Sequence, residues 1–407
     1  MKYVTPEFIL LGLVVLTALA FDFTNGFHDT ANAMATSIAT KALTPKAAVI
    51  LCASLNLIGA FLSVEVALTV TNAVIRIQNP DGSPKPEFLA NGGHDLLMII
   101  LCGLVGAIVW NLMTWLWGLP SSSSHALFGG LVGATIAGLG PEAVKWTGEG
   151  TKLDGVIGKV LLPGLFSPVI AGVVAMVATA LVFRISSGVA RTFLDSGFRW
   201  GQIGTASLVS LSHGTNDAQK TMGVITLALI ASGSWHTTHD IPLWVKVACA
   251  LAIALGTYLG GWRIIRTMGK GLVEISPPQG MAAESSSAAI ILASSQLGFA
   301  LSTTHVATGS IMGTGLGTPG GKVRWRVAAR MLMAWLITLP SAGVVGAAVW
   351  YLGHVTGPVV GPIAVFVLLC ALSLWMWLHS RHEPIHPGNV NDEWEAPQAP
   401  AQEKVGV

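Results

Sequence analysis

Charge is scarce in this chain. Only 10% of its 407 residues are Asp, Glu, Lys or Arg, against roughly 25% in a soluble domain, too little to cover a water-facing surface. That shortage excludes a soluble enzyme, a nucleic-acid binder and a disordered scaffold. Cysteine is nearly absent too: Cys52, Cys102, Cys249 and Cys370 each lie in an apolar run without CxxC spacing. They read as buried free thiols, and neither a disulfide framework nor a cysteine metal cluster is supported. What the chain has instead is apolar residues, 52% of the total, and 47 glycines, with a mean hydropathy of +0.66. Abundant glycine suits membrane helices that pack closely. The fold class is an all-α polytopic membrane protein.

A helical crossing needs about 20 mainly apolar residues. Such runs cover 6–40, 47–75, 96–140, 157–184, 200–231, 242–262, 278–320, 327–351 and 360–378. The runs 96–140 and 278–320 are too long for one crossing, and a Ser/Thr-His cluster interrupts each. Each therefore reads as two arms of a re-entrant hairpin, and the first run as one broken helix, giving about 11–12 transmembrane helices. The links 41–46, 184–199, 263–274 and 322–330 carry twelve Lys or Arg. The opposite links carry only Arg76, Lys85, Lys145 and Lys152. The positive-inside rule then puts the N-terminus outside and the C-terminal tail in the cytoplasm. Residues 8–20 end in Ala18-Leu19-Ala20, but only Lys2 supplies a charge ahead of them and Glu7 opposes it. They read as an uncleaved first helix. The tail from Glu383 reads as disordered and solvated.

The chain also repeats itself. Asn25-Gly-Phe-His28-Asp29-Thr-Ala-Asn32 has a counterpart 188 residues on, in His213-Gly-Thr-Asn216-Asp217-Ala-Gln-Lys220. Gly118-Leu-Pro-Ser121-Ser122-Ser123-Ser124-His125, with Gly129 and Gly133, matches Gly298-Phe-Ala-Leu-Ser302-Thr303-Thr304-His305, with Gly309 and Gly313, at an offset of 180. The charge map runs the two copies through the membrane in opposite directions. Inverted repeats with polar breaks at midplane are the architecture of secondary transporters. The expected units are a first repeat over 1–184, a cytoplasmic linker over 185–199, a second repeat plus a final helix over 200–378, and the tail over 379–407.

Asp29 and Asp217 interrupt apolar spans, where an ionised carboxylate costs roughly 2.5–3.5 kcal/mol, so they should face a cavity and serve an ion or a proton. A plain ion pair of Asp217 with Lys220 on one helical face is the structural alternative. The Ser/Thr breaks each open a helix, whose free N–H groups and positive dipole end, with hydroxyl donors added, suit a small tetrahedral oxyanion. Ordinary capping is the alternative there. His28, His125, His213 and His305 all fall inside the four motifs, where a histidine can move protons. The glycines that follow the breaks read as close-packing positions.

Together these motifs resemble the inorganic phosphate transporter (PiT) family. The elements that carry the resemblance are the duplicated Gly-x-x-Asp-x-x-Asn motif at Gly26–Asn32 and Gly214–Lys220, Gly118–His125, Arg263–Lys270, Gly280-Met-Ala-Ala-Glu284 and Ser302–His305. The wording of Phe21–Asn32 is most similar to the bacterial low-affinity, proton-coupled phosphate permeases. The resemblance implies a homodimer in the bacterial cytoplasmic membrane that carries phosphate, in some members as a complex with Mg2+ or another divalent metal. It implies a phosphate site at Ser121, Ser122, Ser123, Ser124, Ser302, Thr303 and Thr304. Lys220 joins that set on its charge. The coupling ion or proton falls to Asp29, Asn32, Asp217, Asn216, Glu284, His28 and His213, with His125 and His305 as a candidate proton relay. No residue is assigned to a resident metal.

Two departures bear on coupling. Asn56 stands where sodium-coupled members carry a glutamate, and Lys220 where they carry asparagine. An ammonium can replace a bound cation, so protons are expected as the coupling ion and sodium is the alternative. Sulfate has the same shape as phosphate, but carboxylate acceptors favour an anion that still carries a proton. An intramembrane metal-dependent enzyme built on His28/Asp29 and His213/Asp217 leaves the Ser/Thr hairpins unexplained, and neither HExxH nor a nucleophile elbow is present. No enzyme activity is expected.

Overall fold

The computed structural model describes residues 6–76, 90–148, 154–186, 191–237 and 240–392. The first half contains α1 (Pro6–Ala39), α2 (Pro45–Gly59), α3 (Glu65–Ala73), α4 (His94–Leu116), α5 (Ser123–Leu139) and α6 (Leu162–Ser186), the last entered through a π turn at Ile157–Leu161. The second half contains α7 (Arg191–Ala231), α8 (Leu243–Leu259), α9 (Trp262–Arg266) with a π turn at Thr267–Gly271, α10 (Pro277–Gln296), α11 (Thr303–Gly317) and α12 (Trp325–Thr356), followed by α13 (Val360–Ser380). Among the described residues there is no β-strand, only two isolated bridges, Ile75 to Val144 and Val273 to Val323.

Among the described residues, five helices are long and apolar enough to cross a membrane: α1, α4, α6 with its π turn, α12 and α13. A sixth span forms if α8 and the α9 segment, bent by 60°, count as one. The expected 11–12 includes α2 and α5, which are apolar but shorter, and α7, which is 41 residues long and carries a polar motif. The break also lies elsewhere than expected. Residues 6–39 form one continuous helix, and the bend falls at Gly260, whose φ of +71° suits glycine. α1 stays helical because its polar side chains meet partners on other helices, so its backbone need not unwind to satisfy them.

α4 runs through the centre of the molecule, buried along nearly its whole length, as expected of a helix that is apolar all round. The outer faces of α6, α12 and α13 expose Val, Leu, Ile and Trp side chains, the surface a bilayer covers.

Glycine contacts tie the halves together crosswise. Gly26 of α1 abuts the Ile253 carbonyl of α8, and Gly256 of α8 abuts the Phe23 carbonyl of α1. Gly214 of α7 abuts the Asn56 carbonyl of α2, and Gly59 of α2 abuts the Leu211 carbonyl of α7. Gly129 and Gly133 of α5 meet Leu339 and Gly343 of α12; Gly309 and Gly313 of α11 meet Pro168 and Gly172 of α6. A Cβ at Gly26, Gly59, Gly129, Gly133, Gly214, Gly256, Gly309 or Gly313 would overlap a backbone carbonyl. α1 and α7 lie antiparallel: Thr40 donates to Gln202 at one end (2.8 Å), and Asp22 faces Thr221 at the other.

Two further expectations change. Cys370 is exposed on α13, whereas the other three cysteines are buried, because α13 is covered on one side only. The proximal tail is anchored to the helices at two points, although most of its residues stay exposed. The Arg263 guanidinium donates to the carbonyls of Ser380 (2.9 Å) and Glu383 (2.5 Å), and Val390, 1% exposed, joins the core beside α1 and α9. Residues 393–407 lie outside the described residues, as do Lys85, Lys152 and His239.

Candidate functional site

Each Ser/Thr break is built the same way. α4 ends in a Schellman motif: Gly118 has φ +64°, its N–H donates to the Trp115 carbonyl (2.9 Å), and the Leu119 N–H donates to that of Thr114 (2.9 Å). α10 ends identically, with Gly298 at φ +67° and N–H groups of Gly298 and Phe299 donating to Ser295 (3.2 Å) and Ser294 (2.9 Å). After each glycine a short extended stretch leads to an N-cap. Ser122 Oγ accepts from the His125 N–H (3.1 Å), and Ser302 Oγ from the His305 N–H (3.3 Å). These two serines are caps. Their neighbours Ser121, Ser123, Ser124, Thr303 and Thr304 keep their hydroxyls for other partners.

Those partners are the two Gly-x-x-Asp motifs. From α1, Asn32 Nδ2 donates to Thr303 Oγ1 (3.2 Å) and Thr304 Oγ1 (3.0 Å). Asp29 Oδ1 lies 2.6 Å from His28 Nδ1 and accepts from Thr304 Oγ1 (3.4 Å). The other ring nitrogen of His28 is 3.3 Å from Thr114 Oγ1 and 3.4 Å from Ser121 Oγ, and Ser123 Oγ is 3.4 Å from His28 Nδ1. From α7, Asp217 Oδ2 accepts from Thr303 Oγ1 (2.8 Å) and lies 2.8 Å from His213 Nε2, an ion-pair distance without hydrogen-bond alignment. Asp217 Oδ1 accepts from Lys220. Asn216 Nδ2 donates to Ser295 Oγ (2.9 Å). Both motifs and both breaks thus converge on one place, and the side chains that meet there are all buried.

Lys220 is the charge at the centre. An ammonium has three donors, and Lys220, 1% exposed, spends them on Asp217 Oδ1, Ser124 Oγ (2.6 Å) and the Leu301 carbonyl (2.8 Å). It therefore bridges both breaks as well as pairing with its own helix. The structural alternative, an i, i+3 ion pair, is present but is only one third of what the side chain does. Asp29, His213 and Asp217 place one ligand atom each within 4.8 Å of one another, and the positive charge that such a group of acids calls for is built into the chain as this ammonium. Asn56 sits behind His213, 3.2 Å from its Nδ1, and donates to Thr257 Oγ1 (2.8 Å). As an amide it leaves that position neutral.

Glu284 lies in a separate network. Its carboxylate accepts from Thr36 (2.5 Å) and Ser37 (2.6 Å) of α1 and from Gln202 (3.2 Å) and Thr205 (2.7 Å) of α7. None of the phosphate-set residues named above is among these partners. His125 and His305 also turn away. Their rings pack 4.8 Å from each other, that of His305 also lies 4.2 Å from the Trp335 ring, and they face the Val160 and Gly164 carbonyls at the back of an apolar groove between α6, α11 and α12. Only their backbone N–H groups serve the caps. Sequence reasoning passed over Thr114, which links Ser121 to His28, and the donors around Glu284. A lone Thr or Gln in an apolar helix carries no pattern that would single it out.

Chemically, the site offers hydroxyl donors on two helix N-termini, one fixed ammonium and two carboxylate acceptors. That set suits a small oxyanion that itself carries a proton.

Residues 25–346 match the phosphate transporter family. A protein of Mycobacterium tuberculosis (strain ATCC 25618 / H37Rv), named "Probable low-affinity inorganic phosphate transporter", is 57% identical over 390 residues, covering 96% of this chain and 88% of that protein. One of the same name from Bacillus subtilis (strain 168) is 44% identical over 346 residues, covering 84% of this chain and 97% of that one. A solved structure titled "The sodium-dependent phosphate transporter" superposes with a TM-score of 0.71 at 21% identity, covering 85% of this chain and 99% of that one, a likeness of fold.

Proposed function

The chain belongs to the phosphate transporter family, and on that premise we propose that it imports inorganic phosphate across the cytoplasmic membrane by proton symport. It is a transporter, not an enzyme. The observation that carries the coupling is Lys220, an ammonium held between Asp217 and both Ser/Thr breaks. With that charge fixed in the chain, the phosphate site needs no added cation beside Asp217, and the coupling ion is left to be a proton. Asn56, which removes a carboxylate from the same neighbourhood, acts in the same direction.

Phosphate oxygens are held by the hydroxyls of Ser121, Ser123, Ser124, Thr303 and Thr304 and by Lys220. A P–OH group donates to Asp29 or Asp217, which disfavours sulfate. Transport is alternating access: the hairpins α4–α5 and α10–α11 enclose the anion while the two halves rock around it. The crosswise glycine contacts and the antiparallel α1 and α7 support two inverted repeats working this way. The transporter is a homodimer with its N-terminus outside, and its cargo is free phosphate or a complex with a divalent metal such as Mg2+.

The test is labelled phosphate uptake into proteoliposomes with an imposed pH gradient, acidic outside. Accumulation above the outside concentration, resisted by excess sulfate, is expected; magnesium dependence identifies the metal complex as the cargo. Equilibration without accumulation would mean a channel, and equal competition by sulfate would remove the role given to the carboxylates.

A further inference from the structure

The cradle makes no use of Asp22. It lies on α1, 0% exposed, and neither of its carboxylate oxygens has an aligned hydrogen-bond partner. The other buried acids discussed above are held: Asp29 by His28, Asp217 by Lys220 and Thr303, and Glu284 by four donors. Among the described residues, Asp22 is the buried carboxylate whose two oxygens both lack an aligned hydrogen-bond donor. The groups that face it are Thr221, Asp217 and Lys220 of α7 and the Cys249 thiol of α8.

Its position is not isolated from the site. Asp22, Asn25, Asp29, Asn32 and Thr36 follow at steps of three and four residues, so they form a polar stripe along one face of α1. Asp22 stands about 10 Å along the axis from Asp29, and about 21 Å from Thr36, where Glu284 is held. Asn25 Oδ1, on the same stripe, is also unpartnered. An anion in such surroundings is unfavourable, whereas the neutral acid is tolerated.

We propose that Asp22 is the carboxyl that takes up and releases the coupling proton, at the far end of the α1 stripe from Glu284. This rests on the proton-symport reading. In the outward-open state a proton from the outer solution forms an O–H bond on an Asp22 oxygen. The neutral acid crosses with the loaded site, and the O–H bond breaks on the inner side, where the proton leaves to the cytoplasm. The link to phosphate is Lys220. Ionised, Asp22 competes with Ser124 and Leu301 for the ammonium; protonated, it leaves the ammonium bridging the two breaks, as the structure has it.

The experiment compares the wild type, Asp22→Asn and Asp22→Glu in proteoliposomes, reading two reactions: uptake driven by an imposed pH gradient, and exchange of labelled for unlabelled phosphate with no gradient. Asp22→Asn should lose gradient-driven accumulation by at least about tenfold yet retain exchange, the split expected when a proton-transfer group alone is removed. Asp22→Glu should recover part of the driven uptake. If Asp22→Asn accumulates phosphate as the wild type does, or loses exchange along with accumulation, the assignment to Asp22 is overturned while proton coupling stands. If wild-type uptake follows sodium and ignores pH, the symport reading fails and this inference fails with it.

Discussion

At Lys220 one side chain joins the two repeated motifs to the two breaks, and its removal should be felt in two ways. Lys220→Met leaves Asp217 buried without its cation, which costs about 3–5 kcal/mol; a lowered unfolding temperature in detergent is expected alongside lost uptake. Lys220→Asn, which supplies the residue type that Asn32 provides in the other motif, should make uptake respond to external sodium, measured by exchanging sodium for choline. An unchanged, sodium-indifferent rate would count against the idea that the ammonium replaces a cation. Asp29→Asn should weaken discrimination of phosphate from sulfate by about 10- to 150-fold, the range for losing one hydrogen bond of about 1.5–3 kcal/mol to a charged group, read as sulfate competition. Asp29, Asp217 and the hydroxyls were legible because charge and clustered Ser/Thr are rare in apolar runs. The directions of side chains were not. His125 and His305 share their motifs with the site but point to its back, and Asp22 stood in plain view without the burial that makes it unusual.

Among the elements, the two hairpins were the most legible feature, since a glycine, an extended stretch and a Ser N-cap recur in the same order. Ser122→Ala and Ser302→Ala should each lower stability by about 1 kcal/mol, the usual worth of an N-cap, seen in thermal unfolding; either change passing without effect would mean that water caps the helix equally well. Helix continuity was less legible. A polar motif inside an apolar run suggests a break, but α1 and α7 remain whole because Thr303, Thr304, Ser295 and Ser124 arrive from other helices to meet their side chains. Contacts between distant segments decide such a question, and spacing along the chain does not record them. The same holds for the tail, where Val390 found a place in the core that its polar neighbours gave no reason to expect.

Across the whole molecule four close glycine contacts join one half to the other, α2 on α7, α8 on α1, α5 on α12 and α11 on α6, so neither half encloses the site alone. The positive-inside orientation yields its own prediction. With Cys370 replaced, a cysteine introduced at exposed Lys322 should be labelled from the cytoplasmic side only, and one at exposed Thr356 from the outside only; the reverse pattern would invert the topology. The claim that unites these scales is that phosphate enters with a proton and without sodium. Its most direct test is a pH-sensitive dye trapped inside proteoliposomes in sodium-free, choline-based medium, with phosphate added outside. Internal acidification that rises with phosphate and vanishes in the Lys220→Met variant is the predicted result. No acidification, with phosphate entering only when sodium is restored, would contradict the account.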